Sequence, residues 1–549
     1  MRRLTGTLVL LAVLGSLPSC QDQGQAPSKQ VTAPSADTST YYVSPAGADT
    51  AAGTSPETAW RTLARVDEAK LRPGDRVLLQ GGKRFAGELA LTQTDAGSAA
   101  DPMVVGSYGQ GRAIITSGSS GLVIYDTAGV DVENLVVNGT SSSRPTGIGI
   151  NLYSDLPGNR KLSGVRIDDV DVSGFVYGIG IGGGKGTTGF RDVHVLNSTL
   201  HDNLDDGLIS YAPSFDSAHP QYAHEDIDVS GVHSYRNQGD VEDTGTDTGN
   251  GIVLGNVQDA TIAWSTADDN GGKGTANEGP VGIWTYDSTG VVIDHNLSYA
   301  NRTSNLSDGD GFGLDENTSD CYLEYNVSYG NAGAGYLLYS AQANSAQQGN
   351  VVRFNVSSGD GRTSDYYGGI TLIGQISDTA IYQNTVVMQA RTGTTSPALR
   401  LVGQDRGITV RNNVFMTQEG GPIVAAAMSS DVREAVLQGN DYFAAAGTWE
   451  VVWGRSAYRT MAGWRQATGQ ERLQGRATGF TADPELTGPL FGLRITTAKA
   501  GIGAEFTPRS TSFLLRAGLA LQALFGTKTG GVILSGQEAS AAEPNIGAE

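Results

Sequence analysis

The sequence predicts an all-β chain that folds as a right-handed, single-stranded parallel β-helix of about ten coils, with an N-terminal helix cap and a C-terminal cap. The first observation is a phrase, Gly-apolar-x-apolar, that recurs at steps of 24 to 44 residues. Such repeats indicate a solenoid, and the alternation within each copy indicates a short strand with one face inward. The copies begin at Gly121, Gly147, Gly178, Gly207, Gly251, Gly282, Gly311, Gly335, Gly369 and Ala398.

The second observation is a series of asparagines in phase with the first repeat. Each asparagine ends an apolar-x-apolar-x-x-Asn segment, so each coil carries at least two strands. Asn side chains stacked at a turn can hydrogen-bond along the stack. We therefore expect these residues to be structural rather than ligand-binding. They are Asn296, Asn326, Asn355, Asn384 and Asn413.

The N-terminus carries the features of an export signal over residues 1–20. Arg2 and Arg3 precede an apolar run that is too short for a lasting transmembrane helix. Leu17-Pro-Ser-Cys20 resembles a bacterial lipobox. We expect Cys20 to be lipidated, which would tether the exported protein to the cell envelope on its periplasmic or cell-surface side. Residues 21–40 are rich in Gln, Ser, Thr, Ala and Pro, which is typical of a flexible linker.

The remaining chain divides into two caps and a rod. Residues 41–118 are expected to form the N-terminal cap and first coils, because Ser55-Pro56-Glu57 is a helix start followed by apolar residues from Trp60 onward. Residues 119–440 hold the β-helix. Residues 441–549 are expected to form the opposite cap. Covering both ends matters because an exposed strand edge invites aggregation.

Several phrases resemble bacterial pectate-lyase-like proteins of the pectin lyase fold. The resemblance begins at Tyr41-Tyr-Val-Ser-Pro-Ala-Gly47 and continues at Asp308-Gly-Asp-Gly-Phe-Gly-Leu-Asp315 and Trp464-Arg-Gln-Ala-Thr-Gly-Gln470. It implies the β-helix fold but not the reaction, since this superfamily includes lyases, hydrolases, epimerases and non-catalytic binding proteins. In its calcium-dependent lyases a Lys commonly follows the Asp-Gly-Phe phrase as the base. Here Gly313, Leu314 and Asp315 follow instead.

The strand register predicts an aromatic and acidic patch on the outer face of the central coils. Flat aromatic faces stack on sugar rings, and a carboxylate pair suits glycoside hydrolysis. Asp287 and Glu316 lie on adjacent coils, about 5 Å apart between Cα atoms. The candidate catalytic residues are Asp287, Asp315 and Glu316. The candidate substrate-binding residues are Trp284, Tyr286, Tyr339, Tyr211 and Arg400. The alternatives for the acidic residues are a Ca²⁺ site or a solvated surface.

Two aspartate pairs before repeat glycines are candidate metal ligands. Asp205 with Asp206 and Asp308 with Asp310 resemble one calcium cluster by composition. However, their strands are three coils apart, about 14 Å. We therefore expect separate sites or plain turns, unless the long insert Pro213 to Asn250 intervenes. Ca²⁺ is the one cofactor that the sequence suggests.

The net charge of the chain limits the classes of molecule that we expect it to bind. The chain carries 37 Lys and Arg against 57 Asp and Glu, a net charge of −20. Nucleic acid is disfavoured, because binding it needs cationic phosphate contacts. Acidic polysaccharides would be repelled unless calcium bridged them, so a neutral polysaccharide or oligosaccharide fits best. We expect a monomer.

Three functions stay open from the sequence. The leading interpretation is a glycoside hydrolase. The second is a calcium-dependent polysaccharide lyase with Lys273 or Arg400 as base. The third is a glycan-binding or structural surface protein without chemistry. Elimination makes an unsaturated product that absorbs ultraviolet light, and hydrolysis does not, so the product separates the first two.

Overall fold

The computed structural model describes residues 38–95, 97–140, 144–341, 346–389, 395–418, 420–427 and 434–549. Cys20 and the rest of the expected signal peptide lie outside the described residues. The described chain forms the right-handed parallel β-helix that the repeats predict.

The strands of the first coils, in chain order, are β1 (Thr40–Val43), β2 (Arg76–Gln80), β3 (Arg84–Ala86), β4 (Leu89–Leu91), β5 (Met103–Tyr108), β6 (Ala113–Ser117), β7 (Leu122–Tyr125), β8 (Val130–Gly139), β9 (Ile148–Ser154), β10 (Lys161–Ser173), β11 (Tyr177–Gly183), β12 (Gly189–Leu196), β13 (Thr199–His201) and β14 (Leu208–Tyr211). The central strands are β15 (His224–Ser230), β16 (His233–Tyr235), β17 (Ile252–Gly255), β18 (Val257–Ala263), β19 (Thr266–Asp268), β20 (Val281–Tyr286), β21 (Thr289–Asp294), β22 (Leu297–Tyr299), β23 (Asp310–Leu314), β24 (Tyr322–Glu324), β25 (Val327–Tyr329), β26 (Tyr336–Ser340), β27 (Val351–Arg353) and β28 (Val356–Ser358). The last strands are β29 (Ile370–Gly374), β30 (Ala380–Tyr382), β31 (Thr385–Met388), β32 (Leu399–Gly403), β33 (Thr409–Arg411), β34 (Val414–Thr417), β35 (Val424–Ala427), β36 (Val436–Gln438), β37 (Asp441–Ala444), β38 (Val451–Trp453), β39 (Ser456–Tyr458), β40 (Arg472–Leu473) and β41 (Arg476–Ala477). The helices are α1 (Leu63–Asp67), α2 (Met461–Thr468) and α3 (Leu521–Phe525).

One sheet contains the strands that follow the repeat glycines, and we call it the site sheet. Its parallel order runs β4-β7-β9-β11-β14-β17-β20-β23-β26-β29-β32-β35-β38, with β39 added antiparallel at the end. The ten predicted strands are β7 to β32 of this series; β4, β35 and β38 extend it at both ends. Apart from the antiparallel pair β40 and β41, the other strands pair in parallel with their counterparts one coil on, such as β21 with β24 and β22 with β25. The apolar core lies inside the coils.

The asparagine series forms the predicted hydrogen-bond ladder. The Asn296 side-chain amide donates to Asn326 Oδ1 at 3.1 Å, and Asn326 donates to Asn355 in the same way. The ladder continues through Asn384 and Asn413. All five side chains are buried, so the ladder pairs polar groups that the dry core could not otherwise accommodate.

A second ladder, which the sequence analysis missed, explains the repeat glycines. It runs along Asn203, Asn237, Asn270, Asn301, Asn331 and Asp360. A Cβ atom at Gly311 would lie 2.9 Å from Asn331 Nδ2 and 2.8 Å from the Gly335 carbonyl oxygen. The central repeat glycines, from Gly178 to Gly335, thus precede their strands because the ladder and the next coil leave no room for a side chain.

The N-terminal cap differs in detail from the prediction. Pro56–Thr58 forms one 3₁₀ turn, and the helix α1 starts only after Thr62, whose hydroxyl accepts from the Arg65 amide at 3.3 Å. Trp60 lies between the two and is buried. Its ring stacks on Tyr41 at 4.7 Å between centroids, which closes the first coil.

Only the first part of residues 441–549 caps the far end. There Trp464 of α2 is fully buried against Tyr442 and Trp453. Residues 478–549, which we call the strap, return along the side of the rod. The Ala498 amide donates to Thr266 Oγ1 at 3.1 Å and the Ala548 amide to Thr385 Oγ1 at 3.0 Å.

The strap covers an apolar strip that the coils turn outward. Val327, Phe354 and Val356 form one buried cluster with Phe506 and Leu534 of the strap. Without the strap these residues would face solvent, so its role is lateral packing rather than end capping. Among the described helices, none combines the length and apolar character needed to cross a membrane.

Candidate active site

The central strands of the site sheet bring the predicted patch together. In register, Val253 of β17 lies beside Trp284 of β20, Trp284 beside Gly313 of β23, and Gly313 beside Leu337 of β26. A Cβ atom at Gly313 would lie 3.1 Å from the Cβ of Trp284. Glycine at this position therefore leaves a recess beside the indole ring.

A cavity of about 710 Å³ opens over this face. Its walls are the strands and the loops that precede them, including the loop from 236 to 251 that belongs to the long insert. Its polar and aromatic lining residues are Tyr177, Asp205, Asp206, Thr246, Asp247, Asn277, Glu278, Trp284, Tyr286, Ser307, Asp308, Asp315, Glu316, Tyr339, Tyr366 and Tyr367. The described lining residues include seven carboxylates and no Lys, Arg or His. The cavity is therefore strongly acidic.

Asp308 lies in the turn before β23, where it and Gly309 both adopt the left-handed conformation. Its Oδ1 accepts from the Tyr367 hydroxyl at 2.8 Å, and its Oδ2 accepts from the Gly279 amide at 2.6 Å. Burial raises the pKa of Asp308, while these two hydrogen bonds oppose the rise because they stabilise the charged form. The surrounding donors thus hold the Asp308 carboxyl in one orientation and favour its charged form against the effect of burial.

Asp310 lies behind Asp308 and is fully buried. Its Oδ1 accepts from the Ala334 amide. Burial, with the charge of Asp308 second, raises the pKa of Asp310 well above its usual range. Asp310 therefore favours its protonated form, and its hydrogen bond to Asp308 supports that residue.

Asp315 follows the last residue of β23, so Asp308 and Asp315 bracket this strand. The Glu316 amide donates to Asp315 Oδ1 at 2.7 Å. Burial raises the pKa of Asp315 well above its usual range, and the neighbouring charge of Asp308 adds to the rise. Asp315 therefore keeps its proton to a higher pH than a free aspartate does, and it lines the cavity.

Glu316 also lines the cavity, next to Asp315. Its Oε1 accepts from the Ala341 amide at 2.8 Å, and its Oε2 is buried. Burial raises its pKa. Tyr339, on the next strand, also lines the cavity, and burial with the nearby charges of Asp315 and Glu316 raises its pKa.

The far wall contains a second group of carboxyls, centred on Asn250. The Asn250 amide donates to Asp206 Oδ1 and to Asp247 Oδ2, both at 2.9 Å, and its Oδ1 accepts from the Trp284 indole at 3.0 Å. Burial raises the pKa of Asp247 to about 7. Burial, with the charge of Asp206 next, also raises the pKa of Asp205. This network fixes the insert loop against the site sheet.

The cavity brings together five of the eight residues predicted to catalyse or to bind substrate. They are Asp315, Glu316, Trp284, Tyr286 and Tyr339. Trp284 is only 7% exposed, because Val253 and Val281 pack against it. It is therefore a wall of the cavity more than an open stacking platform.

The other three predicted residues do not line the cavity. Asp287 accepts a hydrogen bond from the Asn317 amide at 2.7 Å, outside the cavity wall. The ring of Tyr211 lies over Gly182, beside Tyr153. Arg400 donates to the backbone carbonyl of Asp365 and so supports the loop that carries Tyr366 and Tyr367.

The four candidate metal ligands lie at one cavity or directly behind it. The insert intervenes as the exception allowed: its Asp247 lines the cavity with Asp205, Asp206 and Asp308, whereas Asp310 lies behind Asp308. Among the described residues, however, no group of three or more His, Cys, Asp or Glu side chains has the spacing to hold a metal ion. We assign the four aspartates to the cavity and to its support.

The sequence analysis missed Tyr177, Glu278, Tyr366 and Tyr367. Each of the last three precedes a strand of the site sheet, as Asp308 does. The spacing of the repeats predicts only how far apart two strands lie along the stack. It does not predict which loops, of different length, bend over the same face. The one available signal was the pair Tyr366-Tyr367 directly before Gly368-Gly369.

Comparisons with known proteins point to one group. No family model matches the chain. The chain is 22% identical over 543 residues to a lacto-N-biosidase of Bifidobacterium longum subsp. longum, an alignment that covers 78% of this chain and 34% of that protein. The chain thus spans about a third of the length of the curated relative it matches.

Solved structures support the same fold. A crystal structure of the GH136 lacto-N-biosidase from Eubacterium ramulus superposes with a TM-score of 0.51 and 18% identity, over 73% of this chain and 67% of that one. A second structure of that enzyme, the native protein, matches with the same TM-score over 72% of this chain. At this identity the likeness establishes the β-helix fold alone.

Proposed function

We propose that the chain is a glycoside hydrolase that acts on a neutral oligosaccharide, with Asp315 as general acid and Asp308 as its carboxylate partner. The observation that carries the proposal is the pair itself: two carboxyls with different surroundings face one cavity from opposite ends of β23. Carboxyls whose environments differ in this way divide into acid and base.

Asp315 fits the role of the acid. Its raised pKa means that it holds a proton to a higher pH than a free aspartate does, and that proton can be given to the leaving oxygen of a glycosidic bond. Asp308 fits the opposite role, because the Tyr367 hydroxyl and the Gly279 amide stabilise its charged form. As a carboxylate it either attacks the anomeric carbon or activates a water molecule.

The lining residues favour a neutral substrate. A uronic acid would bring its own negative charge into a cavity lined by seven carboxyl groups and no described cation. Lys273 and Arg400, the bases that a lyase would need, are not among the lining residues. The names of the similar proteins agree: both are lacto-N-biosidases. We therefore place oligosaccharides that contain lacto-N-biose first among the substrates to test.

Substitution of the pair tests the assignment. Asp315→Asn and Asp308→Asn should each lower turnover on a natural oligosaccharide by about 10² or more, because an amide neither gives a proton nor attacks carbon. With a 4-nitrophenyl glycoside, whose leaving group needs no proton, Asp315→Asn should regain most of its rate and Asp308→Asn should not. Azide should rescue Asp308→Asn with formation of a glycosyl azide.

Glu316→Gln is the discriminating control. It removes a carboxylate from the same wall but keeps an oxygen to accept from the Ala341 amide. We expect a smaller loss of turnover than for Asp308→Asn and no rescue by azide. If azide rescues Glu316→Gln and not Asp308→Asn, Glu316 is the partner of Asp315 and our pairing is wrong.

We also propose that the protein is exported and lipid-anchored through Cys20, a monomer whose cavity faces glycans outside the cytoplasm. The lipobox-like phrase Leu17-Pro-Ser-Cys20 and the preceding apolar run support this. Cys20→Ser should move the protein from the membrane fraction to the soluble fraction, because the acyl chains are attached at that residue. A variant that still sediments with membranes after a salt wash would contradict the anchor.

A further inference from the structure

Tyr367 lies two coils away from Asp308 along the β-helix, and its hydroxyl group forms two hydrogen bonds with that residue. Its hydroxyl donates to Asp308 Oδ1 at 2.8 Å and accepts from the Asp308 backbone amide at 3.0 Å. One oxygen atom thus fixes both the main chain and the side chain of Asp308. The residues that contact each other are 59 positions apart in sequence, so local chain geometry does not account for the contact.

Tyr367 is itself held rigidly. It is 5% exposed and packs in a buried cluster with Ala334, Leu337 and Ile373. Its loop is fixed from outside by Arg400, whose guanidinium donates to the Asp365 carbonyl. A short hydroxyl contact on a rigid ring is the kind of support that holds a catalytic group in its productive geometry.

We propose that Tyr367 is a positioning residue that orients the Asp308 carboxylate and stabilises its charged form. This inference rests on the proposed function of Asp308. It gives the loop from 359 to 369 a function in catalysis, although no residue of that loop belongs to the carboxyl pair. It also gives Arg400 a role, as the support of that loop.

Several titratable groups around Asp308 influence whether its carboxyl group is charged. Asp310 lies behind it, Asp315 faces it across the cavity, and Glu278 stands on the neighbouring loop. Glu278, and Asp315 when it is ionised, disfavour a charge on Asp308, whereas the hydrogen bonds of the Gly279 amide, the Tyr367 hydroxyl and the Asp310 carboxyl favour it. Removal of one donor should therefore leave Asp308 harder to ionise.

The test is the pH profile of kcat/KM for Tyr367→Phe, measured on the oligosaccharide that the wild type cleaves. The variant keeps the ring and loses only the hydroxyl. We expect kcat/KM to fall about tenfold at neutral pH and the acidic limb to move up by about one pH unit. The alkaline limb, set by Asp315, should stay in place.

Tyr336→Phe is the matched control. Tyr336 is also buried, and its hydroxyl donates to the Asn326 and Val356 carbonyls inside the core, away from the cavity. This variant should lose thermal stability but keep the wild-type pH profile. A profile that shifts equally in both variants would reduce Tyr367 to a structural residue and overturn the inference.

The outcome for Asp308 separates the two proposals. If Asp308→Asn is inactive while Tyr367→Phe keeps the wild-type kcat/KM and acidic limb, the positioning inference is wrong and the proposed function stands. If Asp308→Asn keeps the wild-type turnover, the pairing of Asp308 with Asp315 is wrong, and the positioning inference is wrong with it.

Discussion

At the scale of single residues, burial decides the chemistry of the carboxyls. The same side chain is ionised in water and protonated when desolvation raises its pKa. Asp315 and Asp247 keep their protons at pH values at which a free aspartate has lost its own. The retained protons make the cavity reactive. When a higher pH ionises these buried carboxyls, the fold loses stability.

Asp247→Asn should reveal that cost. The folded pKa of Asp247 is raised to about 7, so its contribution to stability is present at acidic pH and is lost as pH rises from about 4 to about 7. The amide stays neutral and can still accept from Asn250. We therefore expect the variant to melt higher than the wild type at pH 8, with little difference at pH 4.5.

Asp243→Asn is the control for this prediction, on the same loop and with the opposite sign. Backbone amides of Gly245 and Thr246 lower the pKa of Asp243, so its charged form stabilises the fold at pH 8. Its amide variant should melt slightly lower there. If both variants shift in the same direction, charge at Asp247 does not destabilise the fold.

Many of the strand residues in the site were predictable from sequence, but the loop residues that border it were not. Parity along a strand is a local property, so it placed Trp284, Tyr286 and Tyr339 on one outer face. The loops are not local: their paths depend on how they pack over other coils. For this reason Tyr367 escaped prediction and Asp287 was assigned to the wrong surroundings.

At the scale of elements, the central coils depend on a glycine that faces a polar side chain of the second ladder. The repeat glycines begin the strands of the site sheet, and the ladder from Asn203 to Asp360 runs beside them. The amides supply partners for backbone groups in a dry interior. The glycines make room for those amides, which is why the two series share one period.

Gly311→Ala tests this dependence. The added methyl would lie 2.3 Å from Ser328 Oγ and 2.9 Å from Asn331 Nδ2, so the ladder must shift. We expect a loss of about 3 kcal/mol in the free energy of unfolding. Gly245→Ala, whose Cβ would meet only the Asp243 side chain at 3.7 Å, should cost well under 1 kcal/mol. Equal melting temperatures would contradict the ladder's role.

At the scale of the whole molecule, the repeats predicted the rod but not the strap. A repeat records contacts between neighbouring coils, and these determine the β-helix. The strap contacts many coils through side chains without period, such as Phe506 and Leu534. The sequence of the strap therefore shows only an apolar composition, and that composition is equally consistent with an end cap.

The charge of the whole chain and the lining of the cavity lead to the same substrate class. The net charge of −20 disfavours acidic polymers in general, and the cavity without a described cation disfavours them locally. The products of hydrolysis of a neutral glycan and of elimination from a uronate differ by one molecule of water. Hydrolysis adds the oxygen of water to the product, whereas elimination adds none and leaves a double bond.

The most direct test of the central claim is a digestion in H₂¹⁸O, followed by mass spectrometry of the products. If Asp308 and Asp315 hydrolyse a glycosidic bond, each cleavage adds one ¹⁸O atom at the new reducing end, and Asp315→Asn lowers the rate of that incorporation. A product that lacks ¹⁸O and is lighter by one water would contradict the account, because it would show elimination in place of hydrolysis.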